Sequence, residues 1–454
     1  MASTETTSTT QGAGTKICIA GAGMGGLATA LALAKAGHQN IHVYEMASNL
    51  GFVGAGIQLA PNMARILDRF GVWKDIAAEA VQCADTSVRE GSTDKELGHV
   101  DLAYVEATYG YPHMVGHRSS LAGSLYAGCK LEPAISFHFS STVTDVQFSA
   151  KPSFQVTPRE GSPYRETCDI FLACDGIKSP TRVDMLKELG ESAEVQDTGQ
   201  AAYRIMLTKE QMAHDPELLK LINSDTVTRW IGEKRHIIAY PIASHTIYNL
   251  STAQPDTHFA AATNATYTTK GSKSKMLETY GDYCPMIHRM LDLVPDGEVC
   301  EWRLRVHAPL KTWVHNTVAL VGDACHPTLP HLAQGAAQAI EDAAVLGVVL
   351  APSRIGSSPS PEMINKALNV YEKVRKERAE ALVELAAENG RAMHLGAGKA
   401  KEERDKLFAA LKAGGGKGPV PDKWADADVQ RMIYGHDCMK VAEEVWEQEQ
   451  SSKL

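Results

Sequence analysis

Six residues near the start of the chain, Gly21-Ala22-Gly23-Met24-Gly25-Gly26, constrain the fold more than any others. They fit G-x-G-x-x-G and lie between an apolar run, Lys16 to Ala20, and an Ala- and Leu-rich stretch, Gly25 to Ala36, that stops at Gly37. The run reads as a buried parallel strand and the stretch as a helix ended by a glycine. Ile41 to Tyr44 supplies a second strand. In such a unit the first glycine permits a tight turn, the second lets the backbone approach a pyrophosphate, and the third lets helix and strand pack closely. The helix N-terminus adds free N–H groups and partial positive charge. Glu45 follows Gly26 by nineteen residues, at the end of the second strand. An acid there can accept hydrogen bonds from both ribose hydroxyls and repels a 2′-phosphate, which favours FAD or NAD over NADP.

The 454-residue chain is too long for one core, which implies a second domain. Several β-branched and aromatic runs occur between about Gly199 and Leu250, among them Arg235 to Ile242 and Thr246 to Ser251. They predict an antiparallel sheet inserted into the first domain. Phe154 to Thr157, Ile170 to Ala173 and Thr317 to Val321 read as strands, Gln334 to Val349 as a helix, and Asn365 to Asn389 as an amphipathic helix carrying Tyr371, Arg375 and Arg378. Gly396 to Pro421 reads as a linker and Ala425 to Gln450 as a helix. The expected class is therefore α/β. A Rossmann-type domain spans 15–80, 104–190 and 285–392, a sheet domain 81–103 and 191–284, and a linker with helical tail 393–454.

Composition narrows the function. A net charge of −9 without a basic run argues against nucleic acid, and no uninterrupted apolar stretch is long enough to span a bilayer. Nine scattered cysteines without a CxxC pair read as reduced, buried thiols; no metal site is expected. Residues 1–14 read as a disordered Ser/Thr-rich tail. Ser452-Lys453-Leu454 is the tripeptide read by the peroxisomal import receptor at a C-terminus, so a peroxisomal location is expected, with the cytoplasm as the alternative.

Two later segments bear on the choice of dinucleotide. Asp175-Gly176-Ile177-Lys178-Ser179-Pro180-Thr181-Arg182 follows one buried strand. Gly322-Asp323-Ala324-Cys325-His326-Pro327 follows another and runs into Pro330, Gln334-Gly335-Ala336-Ala337 and Glu341-Asp342. Each puts an acid and a glycine at a strand end, where ligands of α/β sheets lie. With the glycine motif they resemble the three fingerprints of class A flavoprotein monooxygenases, the family of p-hydroxybenzoate and salicylate hydroxylases, over roughly Lys16 to Asn389. Gly54 to Asn62 resembles the loop beside the flavin, His117-Arg118 the arginine of the diphosphate region, Tyr240-Pro241 a strand of the substrate sheet, and Ile433 to Asp437 a late Tyr-Gly-Tyr-Asp segment in which His436 replaces the second tyrosine.

The resemblance implies non-covalent FAD held by Gly21, Gly23, Gly26 and Glu45 at the AMP half. Arg118 would hold the diphosphate, Asp323 the ribityl or ribose hydroxyls, and Gly56, Gly335 and Ala336 would lie by the flavin ring. Asp175 and Gly176 would lie near the diphosphate and the path of NAD(P)H, a transient co-substrate without its own fold. It further implies a small aromatic substrate and O2, in a monomer or homodimer. The protein must make the ring electron-rich and exclude water. Arg204, His236 and Tyr240 on the inserted sheet are the catalytic candidates; His236, Ile238 and Tyr240 alternate onto one face. His331 stands where the family often has an aromatic residue. The run Gly322 to Asp342 looks closest to the salicylate hydroxylase branch, which implies oxygenation with loss of carbon dioxide. A monooxygenase of a larger secondary metabolite and a non-catalytic FAD-binding interaction protein are the alternatives.

Overall fold

The computed structural model describes residues 14–51, 55–257, 268–412, 420–424 and 426–451. The Ser/Thr-rich tail up to residue 13, Gly54 and the terminal Ser452-Lys453-Leu454 lie outside these residues. The first domain is built on a six-stranded sheet. Its order is Val314–His315, Val318–Leu320, Ile170–Ala173, Ile17–Ala20, Ile41–Tyr44, Ile135–His138. All neighbours are parallel except the first pair. Ile17–Ala20 and Ile170–Ala173 are buried at every position, as central parallel strands covered on both faces must be.

The helix Met24–Lys35 packs on this sheet and crosses Gly335–Val349 at very short range. A Cβ on Gly347 would lie 3.1 Å from the Ala32 Cβ, and one on Gly25 3.3 Å from the Ala339 Cβ. Residues 335–355 are long and apolar enough to cross a membrane, but 78% of that window is buried against the sheet layer, so it is a core helix. The long helix Pro361–Met393 starts at a Ser360 cap with Pro361 in its first turn and extends beyond the expected segment at both ends. Its Tyr371 hydroxyl donates to the Leu320 carbonyl at 2.9 Å and fixes the helix to the sheet.

The inserted domain is an eight-stranded sheet. Its order is Thr268–Lys270, Cys300–His307, Val195–Thr208, Ile247–Pro255, Arg235–Ile242, Thr226–Gly232, Asp85–Glu90, Glu96–Asp101. Only the pair Thr226–Gly232 and Asp85–Glu90 is parallel. One face is apolar: Tyr203, Ile205, Leu207, Trp230, Ile237, Ala239, Tyr248 and Leu250 form a core with the helices Pro216–Ile222, Lys273–Thr279 and Pro285–Asp292. Alternation turns Arg204, His236, Ile238 and Tyr240 to the other face, toward the dinucleotide domain.

Two expectations need correction. Residues 285–307, assigned from sequence to the dinucleotide domain, belong to the sheet domain: Ile287, Met290 and Leu291 fill its core and Cys300–His307 pairs with Val195–Thr208. The pairing partner lies about a hundred residues away, so no local pattern reveals it. The expected linker contains a fourteen-residue helix, Lys399–Lys412. Its sequence is rich in strong helix formers, and its Phe408 is buried with Val88, Ile231 and Met393, directly over Gly98.

Candidate cofactor and substrate site

The glycine turn has the geometry of a phosphate cradle. Gly21 adopts φ +96°, and a Cβ there would lie 2.4 Å from the Cys174 carbonyl oxygen. A Cβ on Gly26 would lie 2.0 Å from the Gly21 carbonyl oxygen, so the third glycine is fixed by helix–strand contact. Gly23 differs: nothing lies within 4 Å of its added Cβ, and no side chain caps the helix it starts. The first-turn N–H groups therefore face open space where a pyrophosphate would sit. Glu45 takes a part not foreseen from sequence. Its carboxylate accepts from the Ala22 and Ala47 N–H groups, each at 2.8 Å, and so braces the turn while keeping lone pairs for a ribose.

The two later fingerprints are tied to each other. Arg182 donates to the Ala324 carbonyl at 3.2 Å and the Ile177 carbonyl at 2.8 Å, joining the Asp175-Gly176 loop to the Gly322-Asp323 loop. Asp175 accepts from the Thr181 N–H at 3.3 Å, and its Oδ1 is buried with no partner. Burial lifts its carboxyl above the usual range.

Beneath Gly322-Asp323 lies a buried ionic network. The Gly322 N–H donates to Asp342 Oδ2 at 2.9 Å, and His326 Nε2 meets the same oxygen at 2.6 Å. Arg375 contacts Asp342 at 2.8 Å and Glu341 at 2.6 Å, Arg378 contacts Glu341 at 2.8 Å, and Asn62 donates to Glu341 at 2.7 Å. Burial alone would raise both carboxyls; the two arginines at Glu341, and His326 with Arg375 at Asp342, hold them below the ordinary range instead. This network fixes a loop of positive φ (Gly322, +63°) so that Asp323 faces the open cleft. The walls of the cleft push the Asp323 carboxyl up, against the pull of His326 and Arg118. Gly335 and Ala336 open the helix whose Gln334 N-cap makes no side-chain cap bond, leaving N–H groups free at the cleft. Orphaned acceptor, open glycine and free helix termini together fit an extended, anionic dinucleotide such as FAD.

Across the cleft the sheet presents Arg204 and Tyr240. Gly56 N–H donates to Asn249 Oδ1 at 2.6 Å, and a Cβ on Gly56 would lie 2.6 Å from Tyr240 Cε2. The glycine thus lets the first-domain loop touch the substrate sheet. Arg204 stacks 4.8 Å above the Trp302 ring. Burial and the nearby Arg118 lower its guanidinium to about 10; burial lowers Arg118 as well. Among the described residues neither guanidinium has a hydrogen bond or ion pair from its side chain. Burial raises the Tyr240 hydroxyl well above its usual range, with Arg204 pulling the other way.

His236 shares the face of Tyr240 but is not joined to it. Its Nδ1 lies 2.7 Å from His394 Nε2, and His331 packs against both. His331 is buried, not a solvent-facing loop residue. Sequence reading missed Trp302, Asn249, Arg182, Gln200 and His394. Trp302 carried a faint signal in the alternation of Cys300–His307, and Arg182 closed the Asp175 segment without a role of its own; the others carried none. The late segment Ile433 to Asp437 proves to be a clasp: Arg65 takes the Tyr434 and His436 carbonyls, and Arg69 pairs with Asp437.

A model of the FAD binding domain family matches residues 14–386. An FAD-dependent monooxygenase of Beauveria bassiana is 30% identical over 431 residues, covering 94% of this chain and 96% of that protein. A 3-hydroxybenzoate 6-hydroxylase of Klebsiella oxytoca is 30% identical over 391 residues, covering 86% and 91%. The fold is shared with a salicylate hydroxylase in its substrate complex, at a TM-score of 0.76 and 22% identity over 95% of this chain and 98% of that one. The glycine cradle, the linked acid–glycine loops and these relatives agree: the chain belongs to the FAD-dependent aromatic monooxygenases.

Proposed function

We propose that the enzyme hydroxylates a small phenolic acid of the hydroxybenzoate kind, using NAD(P)H and O2. The observation that carries this is Arg204, a largely buried guanidinium without an anionic partner beside the cofactor cleft. Leaving such a charge unpaired is unfavourable, and an anionic oxygen on the ligand would offset it. Several relatives are named for acidic hydroxy-aromatics, 3-hydroxybenzoate and 6-hydroxynicotinate, which supports the class.

FAD, when bound, would carry electrons from NAD(P)H to O2 and so supply an electrophilic oxygen, the second oxygen atom leaving as water. The chain's own residues have other tasks. Arg204 stabilises the phenolate, or holds the carboxylate, and so favours an electron-rich ring. Tyr240, kept protonated by burial, donates a hydrogen bond rather than acting as a base. Gly23, Glu45, Asp175, Asp323 and the Gly335 helix terminus fix the dinucleotide, with Arg118 offering positive charge at the same cleft. The finer proposal is attack at the carboxyl-bearing carbon. A phenolate ortho or para to that carbon pushes electron density onto it, oxygen adds there, and loss of carbon dioxide restores aromaticity.

A panel of mono- and dihydroxybenzoates tests both parts. A stimulating acid whose product gains one oxygen supports the hydroxylase reading. Release of carbon dioxide with the carboxylate gone supports the decarboxylating one, and a product that keeps its carboxylate overturns that part alone.

A further inference from the structure

We propose that the histidines His236, His331 and His394 form a binding site for one divalent transition-metal ion such as Zn2+ at the junction of the substrate sheet, the turn Pro330–Leu332 and the end of the long helix Pro361–Met393. Three separate elements supply them. His236 lies on the strand Arg235–Ile242, His331 in the short turn Pro330–Leu332, and His394 caps the helix Pro361–Met393. One nitrogen from each ring lies within 4.8 Å of the other two. Ring centroids are 4.9 to 5.4 Å apart, a triangle rather than a stack. Tetrahedral Zn–N bonds of about 2.0–2.1 Å place ligand nitrogens roughly 3.3 Å apart, so His236 and His394 part slightly from their 2.7 Å contact while the His331 ring closes in.

The surroundings treat these rings as ligands are treated. His331 Nε2 lies 3.2 Å from Gln200 Oε1, which fixes the proton on Nε2 and the lone pair on Nδ1. That Nδ1 is buried and has no hydrogen-bond partner. Asn389 donates to the His331 carbonyl at 2.9 Å and holds its backbone. The long helix makes room for the ring by lacking a side chain at Gly390, where a Cβ would lie 2.4 Å from His331 Cδ2. His236 and His394 share one proton across 2.7 Å. A metal replaces that hydrogen, and the ring's proton moves to its other nitrogen. Three neutral imidazoles then bind with no net loss of protons.

Arg229 opposes a cation here, since its charge also reaches all three histidines. Asp422, 3.7 Å away and equally buried, offsets much of that charge, and the guanidinium stacks on Trp424. The balance excludes weakly bound hard ions and favours the imidazole-seeking end of the series, Zn2+ and Cu2+. Three protein ligands leave a fourth position open to water or another donor. The ion would pin the turn Pro330–Leu332 to both the substrate sheet and the long helix.

The test is equilibrium uptake of Zn2+ by the FAD-loaded enzyme after removal of metal with chelator, read by calorimetry and elemental analysis. The expected result is one Zn2+ per chain with micromolar or tighter affinity. His394→Ala and the shape-conserving His394→Gln should each weaken it at least 100-fold, with flavin absorbance unchanged, while the exposed control His214→Ala binds as wild type. Zn2+ should also raise the thermal midpoint of wild type and not of His394→Gln. No stoichiometric uptake by the wild type, or wild-type affinity in the His394 variants, overturns the proposal. The readout does not use turnover, so it stands or falls apart from the assignment of substrate.

Discussion

Replacement of Arg204 by methionine probes the substrate site with a calculable effect. Its guanidinium sits at about 10 against an ordinary value of 12.5, chiefly through burial and secondarily through Arg118. At about 1.36 kcal/mol per pH unit, the buried charge carries at most ~3 kcal/mol of unfavourable free energy. The folded value lies below the unfolded one, so the cationic side chain opposes folding at every pH below about 10. Methionine removes the charge and keeps an apolar stem against Trp302. The thermal midpoint of Arg204→Met should therefore equal or exceed that of the wild type, with FAD retained. A charge-assisted hydrogen bond to an anionic ligand contributes about 1.5–3 kcal/mol, so the Kd of a stimulating phenolic acid should rise roughly 10- to 150-fold. Calorimetric titration of the holoenzyme measures the Kd, and a peroxide assay should show NAD(P)H oxidation running on to hydrogen peroxide instead of product. Unchanged affinity, or a midpoint several degrees lower, would refute the assignment of Arg204 as an anion holder kept unpaired for the ligand.

Two glycine variants should separate cradle from scaffold. Gly23→Ala should leave the apoprotein midpoint in place and weaken FAD binding at least tenfold, whereas Gly26→Ala should lower the midpoint and abolish FAD retention, because its Cβ would meet the Gly21 carbonyl oxygen at 2.0 Å. Glu45→Ala should weaken FAD retention by about 1–3 kcal/mol, since the Ala22 and Ala47 N–H groups and the ribose lose their acceptor; an unchanged off-rate of FAD would show that Glu45 is dispensable. Arg375→Met should destabilise the protein by about 3–5 kcal/mol in denaturant unfolding, leaving Glu341 and Asp342 undercompensated in the core. Those carboxyls lie below their unfolded values of about 4, so the stability they provide is complete above that pH and lost as the pH falls toward their folded values. The acid limb of a midpoint-against-pH curve should accordingly be shallower in Arg375→Met.

The dinucleotide half was legible in the sequence because its signals are local. Gly21, Gly23, Gly26 and Glu45 are spaced by one strand, one turn and one helix, and the structure gives Gly21 and Gly26 a steric reason, leaves Gly23 open and has Glu45 accept from the turn. The Asp175 and Asp323 loops were readable for the same reason, as acid–glycine pairs at strand ends. Non-local features were not. Cys300–His307 joins the substrate sheet through partners about a hundred residues away, and helix Lys399–Lys412 was hidden by the glycines on either side of it. The substrate face was only half visible. Strand alternation put His236 and Tyr240 on one side, yet nothing in the strand shows that His236 meets His394, or that His331 reaches it from the turn Pro330–Leu332. The arginines of the long helix, Arg375 and Arg378, were seen as neighbours on successive turns. Their role under Gly322-Asp323 depends on Glu341 and Asp342, which the sequence placed at the end of the Gly322-Asp323 run but could not show to be buried against both arginines.

The central claim is that this chain inserts an oxygen atom from O2 into a phenolic acid at the cleft between Arg204 and the dinucleotide loops. Turnover of the FAD-loaded enzyme with NAD(P)H, a stimulating hydroxybenzoate and isotopically heavy dioxygen, followed by mass spectrometry of the product, tests it most directly. The expected result is one heavy oxygen per product molecule, formed only when acid, reductant and oxygen are all present, and greatly reduced in Arg204→Met. Product oxygen derived from water, or NAD(P)H oxidation that no aromatic acid accelerates, would contradict it.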